Sequence, residues 1–282
     1  MEKIVVEPIN EEIGARIFVA AERVLESGVP EQILAALNQY GVLLFPNINI
    51  SDESMASLSN RLGEMESAKV TADGSAANKL GLYRISADKK EKAHREYVLG
   101  NNFWHMDGTS YRVPGKATML KCEAPPKAGG ETEFANLFAA YNALPEARKR
   151  SLHGLTVVHS MYAVMSRLYE VPLQEDVDRW NSIFPDNGHP LVWKHLDGRH
   201  SLVIGATAAR IEELSDEDGK ALLDELLDWC TQDRFTYLHT WSKGDMVIFN
   251  NPGLLHRSRP YDEASGRVLH RATVKGSEAI TA

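Results

Sequence analysis

Leu99-Gly100-Asn101-Asn102-Phe103-Trp104-His105-Met106-Asp107-Gly108-Thr109-Ser110-Tyr111 is the stretch on which the reading of this 282-residue chain turns. An extended backbone through Trp104-His105-Met106-Asp107 places the His105 imidazole and the Asp107 carboxylate on one side. A pair so placed can share a metal ion. It equally fits a histidine hydrogen-bonded to a neighbouring carboxylate, the commoner arrangement. The metal reading needs a third ligand, and His256, far downstream, is the best candidate. Two histidines and one carboxylate with open positions are the donor set of non-haem Fe(II) oxygenases.

Composition sets the frame for that site. With 43% hydrophobic and 25% charged residues the chain reads as an ordinary soluble globular protein, long enough to bury an enclosed site. A formal net charge of −8, with no run rich in lysine and arginine, argues against a nucleic-acid surface. An anionic substrate therefore needs locally placed arginines. The two cysteines, Cys122 in an apolar run and Cys230 at the end of an amphipathic helix, do not form a disulfide framework and point to a reducing compartment. The N-terminus lacks the apolar core of a signal peptide. No run approaches the ~20 apolar residues that span a bilayer. The expected location is the cytoplasm, with no membrane or nucleic-acid partner.

Outward from the centre, short strands alternate with amphipathic helices. Residues 4–6 and 15–19 read as strands. A helix opens at Val29-Pro30-Glu31 and stops at Gly41, and Val42-Leu43-Leu44-Phe45 reads as a strand buried on both faces. A second helix is capped by Ser51, carries Met55, Leu58 and Leu62 on its stripe and ends at Gly63. Periodicity fades from residue 64 to 100, through the charge run Asp88-Lys89-Lys90-Glu91-Lys92. Residues 116–124 and the run from Glu131 read as strands around a Pro125-to-Gly130 turn. Residues 137–152 read as helix around Pro145, and 156–161 as strand. Asp197-Gly198 is a hairpin turn, and residues 215–230 form a strongly amphipathic helix. Residues 236–240, 245–250 and 268–274 complete the strands. This order predicts a mainly β fold with flanking helices, an antiparallel sandwich or barrel. With no repeat and no linker, residues 1–282 read as one domain. The irregular segments 66–100 and 162–188 are expected to cover a pocket as lids, although core packing is the default use of apolar residues such as Trp180.

Late in the chain, an extended Arg267-Val268-Leu269-His270-Arg271-Ala272-Thr273 puts Arg267, Leu269, Arg271 and Thr273 on one face. Two arginines on one face either meet solvent or, if inward, need a buried anion. A dicarboxylate meets that need, because guanidinium binds carboxylate through paired hydrogen bonds.

In order along the chain stand Ile13-Gly14-Ala15-Arg16-Ile17, Arg61-Leu62-Gly63-Glu64, Trp104-His105-Met106-Asp107 and Gly129-Gly130-Glu131-Thr132. His189-Pro190-Leu191-Val192 with Asp197-Gly198-Arg199 follows, then Gly244-Asp245, Asn251, His256, Arg267 and His270-Arg271-Ala272-Thr273. As an ordered set these resemble the taurine/2,4-dichlorophenoxyacetate dioxygenases, the TauD/TfdA family. The resemblance implies a double-stranded β-helix (jelly-roll) core and an oxidoreductase that uses Fe(II), 2-oxoglutarate and O2 and releases succinate and CO2. Carried over by motif, His105, Asp107 and His256 are the iron ligands, and Asp107 favours hydroxylation over halogenation. Thr132 and Arg267 match the positions holding the distal carboxylate of 2-oxoglutarate. Arg271 matches a position near the proximal carboxylate and the substrate anion, and Asn101 and the Gly108 amide match substrate contacts.

The resemblance departs from the taurine enzymes at one point: counted without gaps from Gly63, the position of their sulfonate-binding histidine is Glu66. A carboxylate facing the pocket there repels sulfonate. Leu99-Gly100-Asn101-Asn102-Phe103 and Ser201-Leu202-Val203-Ile204-Gly205 resemble instead the branch acting on (S)-phenoxypropionate and related aryloxyalkanoates. The expected substrate is a small anionic organic acid of that kind. A sulfonate or alkyl sulfate dioxygenase is the alternative within the family, and a non-catalytic jelly-roll binding protein the alternative outside it. A structural zinc site would call for four protein ligands. Assembly into a homo-oligomer is left open by the sequence.

Overall fold

Every side chain of the strand Val42–Phe45 is buried, and the two faces of that strand bury into different places. A computed structural model describes residues 3–66, 77–87 and 92–282, Ala93 by its backbone alone. In it Val42 and Leu44 point into the space between two sheets, whereas Leu43 and Phe45 meet a layer of helices. The sheet to which this strand belongs runs, among the described residues, Val5–Pro8, Ala15–Phe18, Val42–Phe45, Met246–Asn250, Ala117–Ala124, Val268–Val274, Tyr83–Ser86. Only the Ala15–Phe18/Val42–Phe45 pair among these neighbours is parallel.

The helices Val29–Tyr40 and Asp52–Leu62 cover its outer face. Ile33, Leu37, Met55 and Leu58 pack there against Phe45, Met119, Met246 and Val274. Each such side chain, fully buried, contributes roughly 1.5–3 kcal/mol. The helix ends follow the sequence signals: Pro30 stands in the first turn, Gly41 takes φ 72°, and Ser51 Oγ accepts from the Ser54 amide at 3.1 Å.

A smaller sheet, Thr236–His239, Thr132–Asn136, Leu254–Ser258, lies opposite. Phe134, Leu254 and Tyr237 fill the interior with Leu120, Cys122, Val247, Phe249 and Leu269. On its far side Ala135 and Leu255 meet the helices Leu137–Asn142 and Asp216–Cys230 through Ala140, Tyr141, Leu222 and Leu226. Two facing, mainly antiparallel sheets with helices outside both are the jelly-roll architecture expected from the sequence.

Two stretches differ from expectation. Within 66–100 the structure has an edge strand, Tyr83–Ser86, and a helix, Lys92–Gly100; the remainder of that lid segment, including Asp88 to Glu91 of the charge run, lies largely outside the described residues. Within 162–188, read as irregular, lie most of the short helix Met161–Met165 and all of the helix Gln174–Ile183. Their spacing lacked a signal because only a few side chains, chiefly Val164, Met165 and Trp180, turn inward, forming a satellite cluster with Ala206. No helix among the described residues is long and apolar enough to cross a membrane.

Candidate active site

His105 and His256 face each other across an isolated antiparallel bridge. Each backbone amide donates to the other's carbonyl, at 3.0 and 2.9 Å, which sets the two imidazoles side by side with ring centroids 4.1 Å apart. The segment is thus not the strand predicted from the sequence: pairing is confined to His105, and Asp107 already begins a turn. The alternation survives the correction. Trp104 and Met106 pack into the core, Met106 also touching the edge of a cavity of about 670 Å³, and His105 and Asp107 line that cavity. One ligand atom from each of His105, Asp107 and His256 lies within 4.8 Å of the others.

The surroundings prepare these side chains as donors. His105 Nδ1 is 2.8 Å from the Phe103 carbonyl; a carbonyl only accepts, so Nδ1 carries the proton and Nε2 keeps its lone pair. His256 is wedged against Phe249, centroids 4.6 Å apart. Gly205 closes over the site with φ +125°, where an added Cβ would stand 3.1 Å from His105 Cα and from the Trp104 carbonyl oxygen. Burial holds the pKa of both imidazoles down, His256 to about 3, so both are neutral near pH 7. Burial pushes the Asp107 carboxyl up, but the adjoining Arg271 guanidinium and the two histidines outweigh it and leave the pKa well below the ordinary carboxylate range.

Arg271 donates to Asp107 Oδ2 and, at 3.2 Å, to the Tyr97 hydroxyl, while its buried Nε has no partner. Asn101, Gly108 and Arg271 all line the cavity, and Gly108 takes φ +86° in the turn after Asp107. Thr132 and Arg267 do not belong to that lining. The Arg267 side chain runs beside Gly130, two residues before Thr132, where a hypothetical Gly130 Cβ would stand 3.2 Å from Arg267 Nε. Trp241 Nε1 donates to Thr132 Oγ1 at 3.0 Å. Arg267 is 5% exposed, lies over the Tyr261 ring, leaves Nε unpartnered and pairs with no carboxylate among the described residues. Burial lowers its pKa.

Glu66 is largely exposed, yet it lines the cavity and its charge acts on Arg271. Several side chains here were assigned no role in the sequence reading, where Asn251 entered only as a member of the ordered motif set. Thr118 and Asn251 stand behind Asp107. Glu96, 3% exposed, accepts from Tyr169 at 2.6 Å, Arg179 at 2.8 Å and Trp180 at 3.1 Å, tying the helix Lys92–Gly100 to the segment that walls the cavity. Only a polar residue recurring beside an apolar stripe could have flagged them, and that pattern is common on any surface.

A second cluster of ligand types, Asp52, Glu123 and His270, lies on the outer side of the large sheet. There the Lys121 ammonium contacts Asp52 at 2.5 Å and Glu123 at 2.6 Å. The lysine supplies the cation, and the cluster is an ion network of the fold.

The chain and its fold have parallels among known proteins. The chain is 34% identical over 250 residues to the alpha-ketoglutarate-dependent 2,4-dichlorophenoxyacetate dioxygenase of Burkholderia sp. (strain RASC), covering 85% of this chain and 83% of that one. It is 29% identical over 276 residues to the (S)-phenoxypropionate/alpha-ketoglutarate-dioxygenase of Sphingobium herbicidovorans, covering 96% and 95%. Among solved structures, that of AAD-2 in complex with Mn(II) and N-oxalylglycine superposes with a TM-score of 0.82 at 26% identity, over 99% of this chain and all of that one. The family profile described as "Taurine catabolism dioxygenase TauD, TfdA family" matches residues 6–273. The chain belongs to that family.

Proposed function

We propose that this protein is an Fe(II)- and 2-oxoglutarate-dependent dioxygenase that hydroxylates a small organic acid, with His105, Asp107 and His256 as the iron ligands. The observation that carries the assignment is the convergence of two neutral imidazoles and one ionised carboxylate within 4.8 Å of one another, with His105 and Asp107 on the wall of a cavity that leaves open space beside them. The residues present fit both a metal ion and the oxoacid. The free Nε2 of His105 and the acid-shifted Asp107 suit a divalent metal. The buried Arg267, with no carboxylate paired to it among the described residues, suits an anion. Iron and 2-oxoglutarate, when bound with O2, supply the oxidising chemistry: the oxoacid becomes succinate and CO2, taking one oxygen atom, and the other enters a substrate C–H bond.

The chain's own share is placement and exclusion of water. Arg267 and Thr132 hold the distal carboxylate of 2-oxoglutarate. Arg271 serves its proximal carboxylate and the substrate anion, and Asn101 and the Gly108 amide contact substrate. Met165, Trp180, Ile183 and Phe184 on the cavity wall offer an apolar surface to the body of the substrate, and their segment, 162–188, acts as a lid within a single catalytic domain. Glu66 lines the cavity at the position counted for the taurine enzymes' sulfonate-binding histidine, and a carboxylate there offers a sulfonate no donor. An aryloxyalkanoate-like acid is the substrate class we favour, in keeping with the activities named for the Burkholderia and Sphingobium relatives. The free, buried cysteines Cys122 and Cys230 fit a cytoplasmic protein.

The test is succinate release from 2-oxoglutarate with a panel of aryloxyalkanoates, sulfonates and alkyl sulfates, in the parent protein and in His105→Ala and Asp107→Ala. Substrate-dependent succinate that vanishes in both variants supports the reading. Full activity in both would end the iron assignment.

A further inference from the structure

Thr118 and Asn251 are each 1% exposed, and together they present an anomaly. Thr118 Oγ1 lies 3.3 Å from Asp107 Oδ2 and 3.0 Å from Asn251 Oδ1. Its single proton cannot serve both acceptors. Meanwhile the buried Asn251 Nδ2 has no partner, and an orphaned buried donor is costly. Rotating the Asn251 amide by half a turn removes both difficulties, since its oxygen and nitrogen are sterically equivalent. Nδ2 then donates to Thr118 Oγ1, and the Thr118 proton is released to the carboxylate. What remains unpaired is an acceptor, the less costly of the two.

We infer that Asn251 and Thr118 form a directed relay, Asn251 N–H to Thr118 O–H to Asp107 Oδ2, that positions Asp107 as a one-oxygen metal ligand. Arg271 donates to the same Oδ2. Each carboxylate oxygen lies 3.9 Å from one ligand imidazole, Oδ1 from His105 Nε2 and Oδ2 from His256 Nε2, but the two donors converge on Oδ2, while Oδ1 has no hydrogen-bond donor among the described residues. Oδ1 keeps its lone pairs for the metal, and Oδ2 is held so that the carboxylate cannot swing to chelate through both oxygens. The positions follow from the sheet. Thr118 sits on Ala117–Ala124, paired to Met246–Asn250 with Phe249 opposite Thr118, so the neighbouring strand's end delivers Asn251 beside it. Thr118 and Asn251 are positioning residues. They act on the metal through Asp107, and the inference rests on Asp107 being a ligand, as proposed above.

The test is Mn(II) binding to the metal-free protein, followed by the electron paramagnetic resonance signal of free Mn(II), with no turnover involved. Thr118→Val keeps shape and loses the hydroxyl. It is expected to raise the Mn(II) Kd about 10- to 100-fold, the range for lost outer-shell partners, with the melting curve of the metal-free protein recording that it still folds. Thr118→Ser restores the hydroxyl and is expected to return the Kd to within about threefold of the parent. Asn251→Asp separates the two amide directions. In the relay it cannot donate, draws the Thr118 proton away from Asp107 and weakens binding despite its added negative charge. If Asn251 instead accepts from Thr118, Asn251→Asp keeps the bond and binds Mn(II) as tightly as the parent or tighter, which overturns the relay. A folded Thr118→Val that binds within twofold of the parent overturns it as well. Asp107→Ala is the control: if it binds Mn(II) like the parent, the triad itself is wrong, whereas loss in Asp107→Ala with retention in Thr118→Val removes the relay alone.

Discussion

Arg271 and Asp107 form an ion pair at the edge of the cavity, each side chain about one-fifth exposed, and Thr118 adds a second donor to the same carboxylate. The pair reconciles two facts that would otherwise conflict: a carboxylate sunk in the protein and a pKa well below the usual range. It also ties the proposed metal site to the arginine proposed for the organic anions, so binding at one is felt at the other.

Removing one partner should be costly before any metal is present. In the metal-free protein Asp107→Ala strands the Arg271 guanidinium, and breaking a buried pair in this way costs on the order of 3 kcal/mol. His105→Ala leaves no charge unpaired and should cost less, although both abolish turnover. Urea unfolding of the two metal-free variants makes the comparison. Equal losses would mean that the pair contributes little.

Arg267 should behave in the opposite sense. It is buried without a carboxylate partner among the described residues, so Arg267→Met relieves a desolvation cost and should leave the cofactor-free protein as stable as the parent, or more so. The same change should raise the KM for 2-oxoglutarate by about 30-fold or more, the loss expected for a buried charge partner. Mn(II) affinity should not move. A variant with an unchanged KM would place the oxoacid elsewhere.

Stability should fall as the medium is acidified from neutrality. His159 and His256 are held near pKa 3 and His195 near 4, chiefly by burial, against an ordinary 6.5. Between those values the unfolded chain takes up protons that the folded chain refuses. Unfolding therefore becomes easier as pH drops below about 6.5, by on the order of 1–2 kcal/mol per fully buried histidine at pH 5. Asp107, likewise shifted down from its ordinary 3.8, contributes stability that is fully present above that value and is lost only as the pH falls further. Urea midpoints of the metal-free protein at pH 7.5 and 5 test the sign. A flat profile would contradict burial of neutral imidazoles.

Glu66 should tune the encounter with an anionic substrate. Its carboxylate faces Arg271 across the cavity but is largely exposed, so solvent screens it and the effect is modest. Glu66→Gln is expected to lower the KM for an anionic substrate about two- to fivefold at low salt, a gain that shrinks at high ionic strength. Steady-state kinetics at two salt concentrations read this directly. A KM that does not respond would turn Glu66 away from the substrate path.

Read alone, the chain disclosed whatever depends on local period and local chemistry. Apolar spacing and end signals located the helices Val29–Tyr40, Asp52–Leu62 and Asp216–Cys230 to within a residue or so, because an amphipathic stripe and its caps are written in neighbouring positions. Val42–Phe45 was legible as a strand buried on both faces for the same reason. His105, Asp107, His256, Arg267 and Arg271 stood out because such residue types in extended, otherwise apolar segments are conspicuous. Only the tertiary structure decided that His105 pairs with a single residue, His256, instead of joining a strand, since that bridge links positions 151 apart in the chain. It likewise brought Thr118 and Asn251 behind Asp107 and closed Glu96 against Trp180. A threonine's neighbour across a sheet, or a glutamate's partner on a covering helix, is set by register and packing over long sequence separations. No local pattern carries that information.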